Sequence, residues 1–249
     1  MLWRYSSASR QERSCLDCPI TIDTPGTNQL ARLILKRIGR IARDTVICRH
    51  QLFFVPRVPY TSKNGSASIQ LPHADAGDMN HLVKTIREVM QGWFVEGSDP
   101  RFCVAESVSE EMTAFGLRCK KEVVSQDEAR VIAGCAGCHL EGLGGTKQGM
   151  IGALAAVGLI ASGDDGRVVQ LSTWPYPNDA FSGPQEINDI LSRGIDEIRN
   201  LKSGERVTRG MVNIGKRLRP NWRGGRVVLY VNPATDPPAV SSWNAVKLP

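Results

Sequence analysis

Apolar residues first fall into a regular rhythm at Leu30, Leu33, Ile34, Ile38 and Ile41. That spacing predicts a helix with one buried stripe, reaching about Arg43. The Pro25-Gly26 turn precedes it, and Thr27 or Asn28 supplies its cap. Thr45–Val55 then reads as a strand, and Ser66–Leu71 alternates as a second. Helical spacing returns over Asp78–Phe94, burying Leu82, Val83, Ile86, Val89, Met90 and Trp93. After the turn at Glu96–Pro100, Phe102–Ala105 is a third strand. A helix set between strands in this order predicts a compact α/β sandwich of about 55 residues.

Ser107 with Glu110, and Ser125 with Glu128, carry the spacing of capping boxes and predict two further helix starts. The first helix runs towards Lys120 and the second stops near Gly134. Met150–Val157 has no polar residue, so it predicts a buried helix. Gly152, Ala153, Ala155 and Ala156 let its neighbours approach closely. Ser162–Gly166 turns into a strand at Arg167–Ser172. Pro184 opens a helix that Gly194 closes, and Arg226–Val231 is the last clear strand before a Pro-rich tail. Residues 1–14 are polar and irregular and predict no element.

Composition narrows the classes. A chain of 249 residues buries a large core as one elaborate domain or two small ones. The formal charge of +6 permits an anionic partner such as RNA or ATP without demanding one. MLWRYSSASRQERS holds no apolar targeting core, and no segment approaches a membrane span. The expectation is a cytoplasmic protein. Its seven cysteines, an odd number, then read as thiols before disulfides.

The densest candidate chemistry lies in GLGGTKQGMIGALAAVG, Gly142–Gly158. Gly142, Gly144, Gly145 and Gly149 can expose successive backbone N–H groups as an anion-binding concavity, with a helix N-terminus behind it. Lys147 is its one charge. The same residues also suit a tight turn into a small-residue packing helix. Neither the dinucleotide G-x-G-x-x-G nor the P-loop pattern fits, because Lys147 precedes the final glycine. Asp17 and Asp23 flank the loop before the first helix, where carboxylates hold Mg²⁺ or simply make turns.

Other groupings compete for chemistry. Cys135-Ala-Gly-Cys138-His139 has the c-type haem attachment pattern but no export signal beside it. Cys15 and Cys18 with Cys135 and Cys138 make four thiolates for zinc, although such sites normally close a local loop. Unrelated thiols are the alternative. Arg32, Lys36, Arg37 and Arg40 lie off the apolar stripe of the first helix, as a solvated face or an RNA contact. Arg206–Arg226 carries seven Arg or Lys, no acid, and Trp222. That composition suits a phosphate backbone with a stacked base, or plain surface.

HLEGLGGTKQGMIGALAAVG resembles the signature segment of the archaeal tRNA-isoleucine 2-agmatinylcytidine synthetase family and its bacterial relatives. RHQLFFVPRVPYTSKNGSASIQL, EGSDPRFCVAE and GTNQLARLI resemble other stretches of that family in the same order. The likeness covers about residues 15–172 and is to the bacterial relatives alone beyond that point. It implies an α/β (α+β) fold. A kinase-like, ATP-handling domain (15–45 and 106–172) would be interrupted by a ferredoxin-like domain (46–105) and followed by a small β-containing extension (173–249).

The implied chemistry uses ATP to activate the cytosine 2-carbonyl oxygen of a tRNA anticodon, which agmatine then displaces. Gly144, Gly145, Thr146, Gly149 and Gly152 would cradle ATP with Gly26 and Thr27, and Lys147 would assist. Asp17 and Asp23 would hold Mg²⁺ and act in catalysis. The family's Asp-Asp-Thr-Asp falls here on Asp17, Cys18, Pro19 and Ile20. Two carboxylates are thereby replaced by a thiol and an alkyl group. A non-catalytic nucleotide- or RNA-binding relative is the alternative reading.

Overall fold

Most helical and alternating stretches assemble as the pattern predicts, and several short strands join them that the pattern does not show. The computed structural model describes residues 2–5, 27–55, 64–92, 100–144, 149–175, 180–235 and 242–248. Its first six elements run β1 (Leu2–Tyr5), α1 (Thr27–Ile38), β2 (Val46–Gln51), β3 (Gly65–Gln70), α2 (Met79–Gly92) and β4 (Arg101–Ala105). The strands lie in the order β4-β1-β3-β2 with every neighbour antiparallel. This is the ferredoxin-like β-α-β-β-α-β sandwich.

That sandwich takes in β1 and α1, ahead of the expected start at residue 46. The sheet also does not stop at its edges. α3 (Glu110–Arg118), α4 (Gln126–Cys135), β5 (His139–Gly142), α5 (Gly149–Ala161) and β6 (Arg167–Leu171) follow. β5 pairs with β4, and β6 with β2. Strands from 46–105 and from 106–172 thus share one sheet.

Alternation sets the two faces. Ile47, Ile69, Phe102 and Val104 pack against Leu30, Ile34 and Ile38 of α1 and Leu82, Ile86 and Met90 of α2. Cys48, Cys103 and Ala105 face the other way, towards α5. α5 lies across β5, β4, β1, β3 and β2 instead of along them. Its 13 residues make a rod about 20 Å long, which matches four strand spacings of about 4.8 Å. α3 packs over its outer side, so α5 is enclosed from both directions and is apolar all round. Close approach depends on Gly116 and Gly158. A Cβ on Gly158 would stand 2.0 Å from the Met112 carbonyl oxygen, and one on Gly116 2.8 Å from that of Ala155.

Beyond β6 the sheet continues through β7 (Pro184–Glu186), α6 (Ile187–Ser192), β8 (Glu197–Asn200), β9 (Met211–Asn213), β10 (Asn221–Arg223), β11 (Arg226–Pro233) and β12 (Trp243–Ala245). β10 joins β6, and the order then runs β11-β12-β9-β7, with β8 parallel to β11.

Several local expectations shift. Ser109, not Ser107, caps α3, its hydroxyl accepting from the Met112 N–H at 3.3 Å. Ser125 does cap α4, but the Glu128 carboxylate turns to Arg118, so only half of that box forms. Pro184 opens a strand instead of a helix, because Pro184–Glu186 pairs with Met211–Asn213; the helix starts at Ile187. Residues 2–5 form β1, stabilised by partners on both sides where the polar sequence predicts nothing. Trp93 and most of the turn at 96–100 lie outside the described residues. Among the described residues no helix is long and apolar enough to cross a membrane.

Candidate nucleotide site at one edge of the sheet

β1 and β5 are both antiparallel to β4, which lies between them, so they point the same way. The segments that follow them, 6–26 and 143–148, therefore leave from one edge of the sheet, about 10 Å apart at two strand spacings. These are the two segments that carry the candidate residues. Asp17, Asp23 and Gly26 of the first, and Gly145, Thr146 and Lys147 of the second, lie outside the described residues.

The described residues fix the borders. Thr27 opens α1 and Gly149 opens α5. These helices pack on opposite faces of the sheet, α1 with α2 and α5 with α3. A ligand touching both N-termini has to straddle the sheet edge. Gly152 is buried inside the first turn of α5, as part of the packing helix and not of the exposed loop.

Arg101, which the hydrophobic pattern does not mark, lies beneath the start of the glycine segment. It opens β4, is fully buried, and donates from Nη1 to the carbonyl oxygens of Pro100 (2.9 Å) and Gly144. Burial lowers its pKa to about 10. Gly142 leaves room for it: a Cβ there would meet the guanidinium Nε at 2.9 Å. The Leu143 N–H donates to Pro100 O at 3.0 Å. The loop therefore departs from an anchored cation, and an arginine opening an otherwise apolar strand (RFCVA) was the available signal.

Next to it Glu141, on β5, accepts a bidentate pair from Arg87 of α2, Nε at 2.8 Å and Nη2 at 2.7 Å. His139 Nε2 is 2.6 Å from the same carboxylate and its ring tilts against Phe102 at 5.4 Å. The Arg87 hydrogen bond is the largest cause holding the Glu141 carboxyl below its usual range; burial opposes it, and His139 reinforces it. With Nε2 so engaged, the haem-like CAGCH pattern has a histidine already committed. Cys138 Sγ faces Cys103 Sγ at 3.7 Å, Cys135 is exposed, and Cys15 and Cys18 lie outside the described residues. No group of three His, Cys, Asp or Glu able to hold a metal occurs among the described residues.

A second polar cluster is largely buried. His50 bridges Ser68 Oγ (2.7 Å) and Asp165 Oδ1 (2.8 Å), and Asp165 also pairs with Lys120. Ser68 and His50 are fully buried, so this hydroxyl–imidazole–carboxylate line joins β2, β3 and the turn before β6 without meeting a substrate. Burial pushes the Asp165 pKa up, but His50 and then Lys120 outweigh it and the net shift is downward.

In the C-terminal basic stretch, Trp222 is buried and donates Nε1–H to Ile160 O at 3.1 Å, so its ring is not available to stack on a base. Arg226 pairs with the buried Glu197, joined by Arg199.

These elements define a mixed α/β protein built on a ferredoxin-like sandwich, extended at both sheet edges and crossed by one small-residue helix. No family model matches the chain, and no curated protein matches it. Among solved structures it is similar to a tRNA fluorescent labeling enzyme, at 25% identity over 64% of this chain and 36% of that one, TM-score 0.46. It is also similar to TiaS, an agmatidine synthetase acting on an isoleucine tRNA. The complex of TiaS with that tRNA and ATP gives 21% identity, 77% and 43% coverage and a TM-score of 0.47. The apo form gives 21%, 76%, 42% and 0.44. The chain spans less than half the length of these solved proteins.

Proposed function

We propose that this chain is an ATP-using enzyme of RNA modification, related to the bacterial branch of the agmatinylcytidine synthetases, which activates a base oxygen by phosphoryl transfer. One observation supports the reading above the rest. The acid-bearing segment after β1 and the glycine-rich segment after β5 leave the sheet at the same edge. Phosphorylating a carbonyl oxygen converts a poor leaving group into a good one, and the site has to stabilise charge growing on phosphate oxygens.

In this reading the backbone N–H groups of Gly144, Gly145, Thr146 and Gly149 cradle phosphates, with Gly26 and Thr27 contributing and Lys147 adding a cation. Asp17 and Asp23 are a fitting donor set for Mg²⁺, which takes one or two carboxylates and completes its shell with phosphate and water. The ion would neutralise phosphate charge during transfer. The test is Mg²⁺-dependent ATP turnover by the purified chain with and without bulk tRNA. Turnover that rises with tRNA is expected. No turnover, together with unchanged ATP binding by Lys147→Ala, overturns the reading.

Cys18 and Ile20 favour one second reading, a nucleotide- or RNA-binding relative without catalysis. It expects ATP binding indifferent to Mg²⁺, with Cys18→Asp plus Ile20→Asp restoring metal dependence. Brisk ATP hydrolysis by the native chain excludes it.

A further inference from the structure

A run of cations crosses the junction between the sandwich and the C-terminal strands. Arg49 of β2 lies directly opposite Arg167 of β6, and Arg167 in turn pairs with Asn221 of β10. The Val168 N–H donates to Pro220 O at 2.8 Å, which brings the 217–219 segment alongside Arg167. Burial and then the guanidiniums of Arg49, Arg219 and Arg217 push Arg167 below the usual arginine range. Arg217 and Arg219 continue into a groove of about 370 Å³, lined also by Lys216, Lys247, Asn213 and Asn244. Among the described residues no carboxylate lines it. Arg49, Arg167, Lys216, Arg217 and Arg219 form no ion pair among the described residues, whereas Arg199, Arg206 and Arg226 nearby share Glu197.

Such repulsion opposes folding, and an incoming polyanion relieves it. Arginine's planar fork matches phosphate oxygens in pairs, which favours phosphate over the carboxylates of an acidic protein. No aromatic ring among the described residues lines the groove, and the one tryptophan of the basic stretch, Trp222, is turned into the core. Single strands are held largely by stacking on aromatic side chains; a folded helix is held through its backbone. Asn213 and Asn244 add amides that suit a ribose 2′-hydroxyl, the group separating RNA from DNA.

We propose that Arg49, Arg167, Lys216, Arg217, Arg219 and the adjoining groove form a docking surface for the phosphate backbone of helical RNA. The proposal rests on the RNA half of the function above and is independent of the ATP half.

Fluorescence anisotropy of the full chain with a short hairpin RNA tests it. Arg217→Gln with Arg219→Gln is expected to weaken binding on the order of 10- to 100-fold at about 0.1 M salt and to lower the salt slope by about two. Lys36→Gln with Arg37→Gln removes the same charge from the exposed side of α1 and is expected to change affinity by no more than roughly twofold. Circular dichroism melting checks the fold, and Arg49→Gln with Lys216→Gln repeats the test from the other end of the run. Equal losses in the α1 control, or no loss in either test pair, overturn the surface. Equal binding of a DNA hairpin overturns the RNA assignment; tighter binding of an unpaired strand or effective competition by polyglutamate overturns the helical-backbone assignment. RNA binding through these residues without any ATP turnover leaves the surface standing and removes the catalytic reading.

Discussion

Gly158→Ala is the sharpest test of the enclosed helix. In an isolated helix the change gains up to about 1 kcal/mol, because alanine loses less backbone entropy. Here the added methyl would meet Met112 O at 2.0 Å, Met112 C at 2.7 Å and Thr113 Cα at 3.1 Å. All three belong to the backbone of α3, so no side-chain rotation relieves them. α3 has to lift by about an ångström or more, loosening Met112 and Phe115, both buried against α5. Overpacking against soft neighbours costs about 1–3 kcal/mol, and a rigid backbone neighbour puts this case at the upper end or beyond. A net loss of about 3 kcal/mol corresponds to a fall of roughly 6–12 °C in Tm for a chain of this size. Gly134→Ala is the control: it lies exposed in α4 with nothing within 4 Å of an added methyl, and is expected to gain about 0.5–1 kcal/mol. Urea unfolding of the three proteins measures both. A Gly158→Ala protein as stable as the parent would refute the stacking of α3 on α5.

Asp165→Asn should cost about 3 kcal/mol at neutral pH, since it leaves Lys120 and the buried His50 without their carboxylate. The Asp165 pKa is lowered by folding, so its contribution is present above the unfolded aspartate value near about 4 and is lost as pH falls through the lower folded value; the variant's stability should decline less over that acid range. Of the described thiols, exposed Cys135 should react with a disulfide reagent first. Cys48 should stay unreactive until the chain unfolds, because burial, with Asp165 beside it, pushes its thiol far above the usual range. Early modification of Cys48 would contradict the packing around it.

What the sequence discloses follows from how each element is stabilised. α1 and α2 carry their own periodicity because one side of each meets a core and the other does not. β2 and β3 are buried on both faces; β3 alternates because Ile69 meets the α1–α2 core while Ser68 meets the buried His50. β1 and β5 carry none; four-residue strands held by their ladders leave no rhythm to read. Small residues in α5 announce a buried helix, but not that it would lie across five strands, a matter of the sheet's breadth. At the candidate site the glycine segment was visible as a motif. Arg101 was not, since a single arginine at a strand start has no spacing to betray it, and Ser68, His50, Lys120 and Asp165 converge from four separate places in the chain.

The two accounts of the glycine segment, anion cradle and packing turn, divide it by position. Gly142 yields space to the Arg101 side chain, and Gly158 yields it to the α3 backbone. Gly152 is buried within α5. These three are explained by packing alone and carry no evidence for a ligand. The centre differs: Arg101 holds the Gly144 carbonyl, and no packing contact among the described residues claims the next glycines, Gly145 and Gly149. A phosphate-binding role therefore has to rest on Gly144–Gly149. Substitutions at Gly142 and Gly158 should change stability, and only substitutions between them should change ATP binding in a protein that still melts normally.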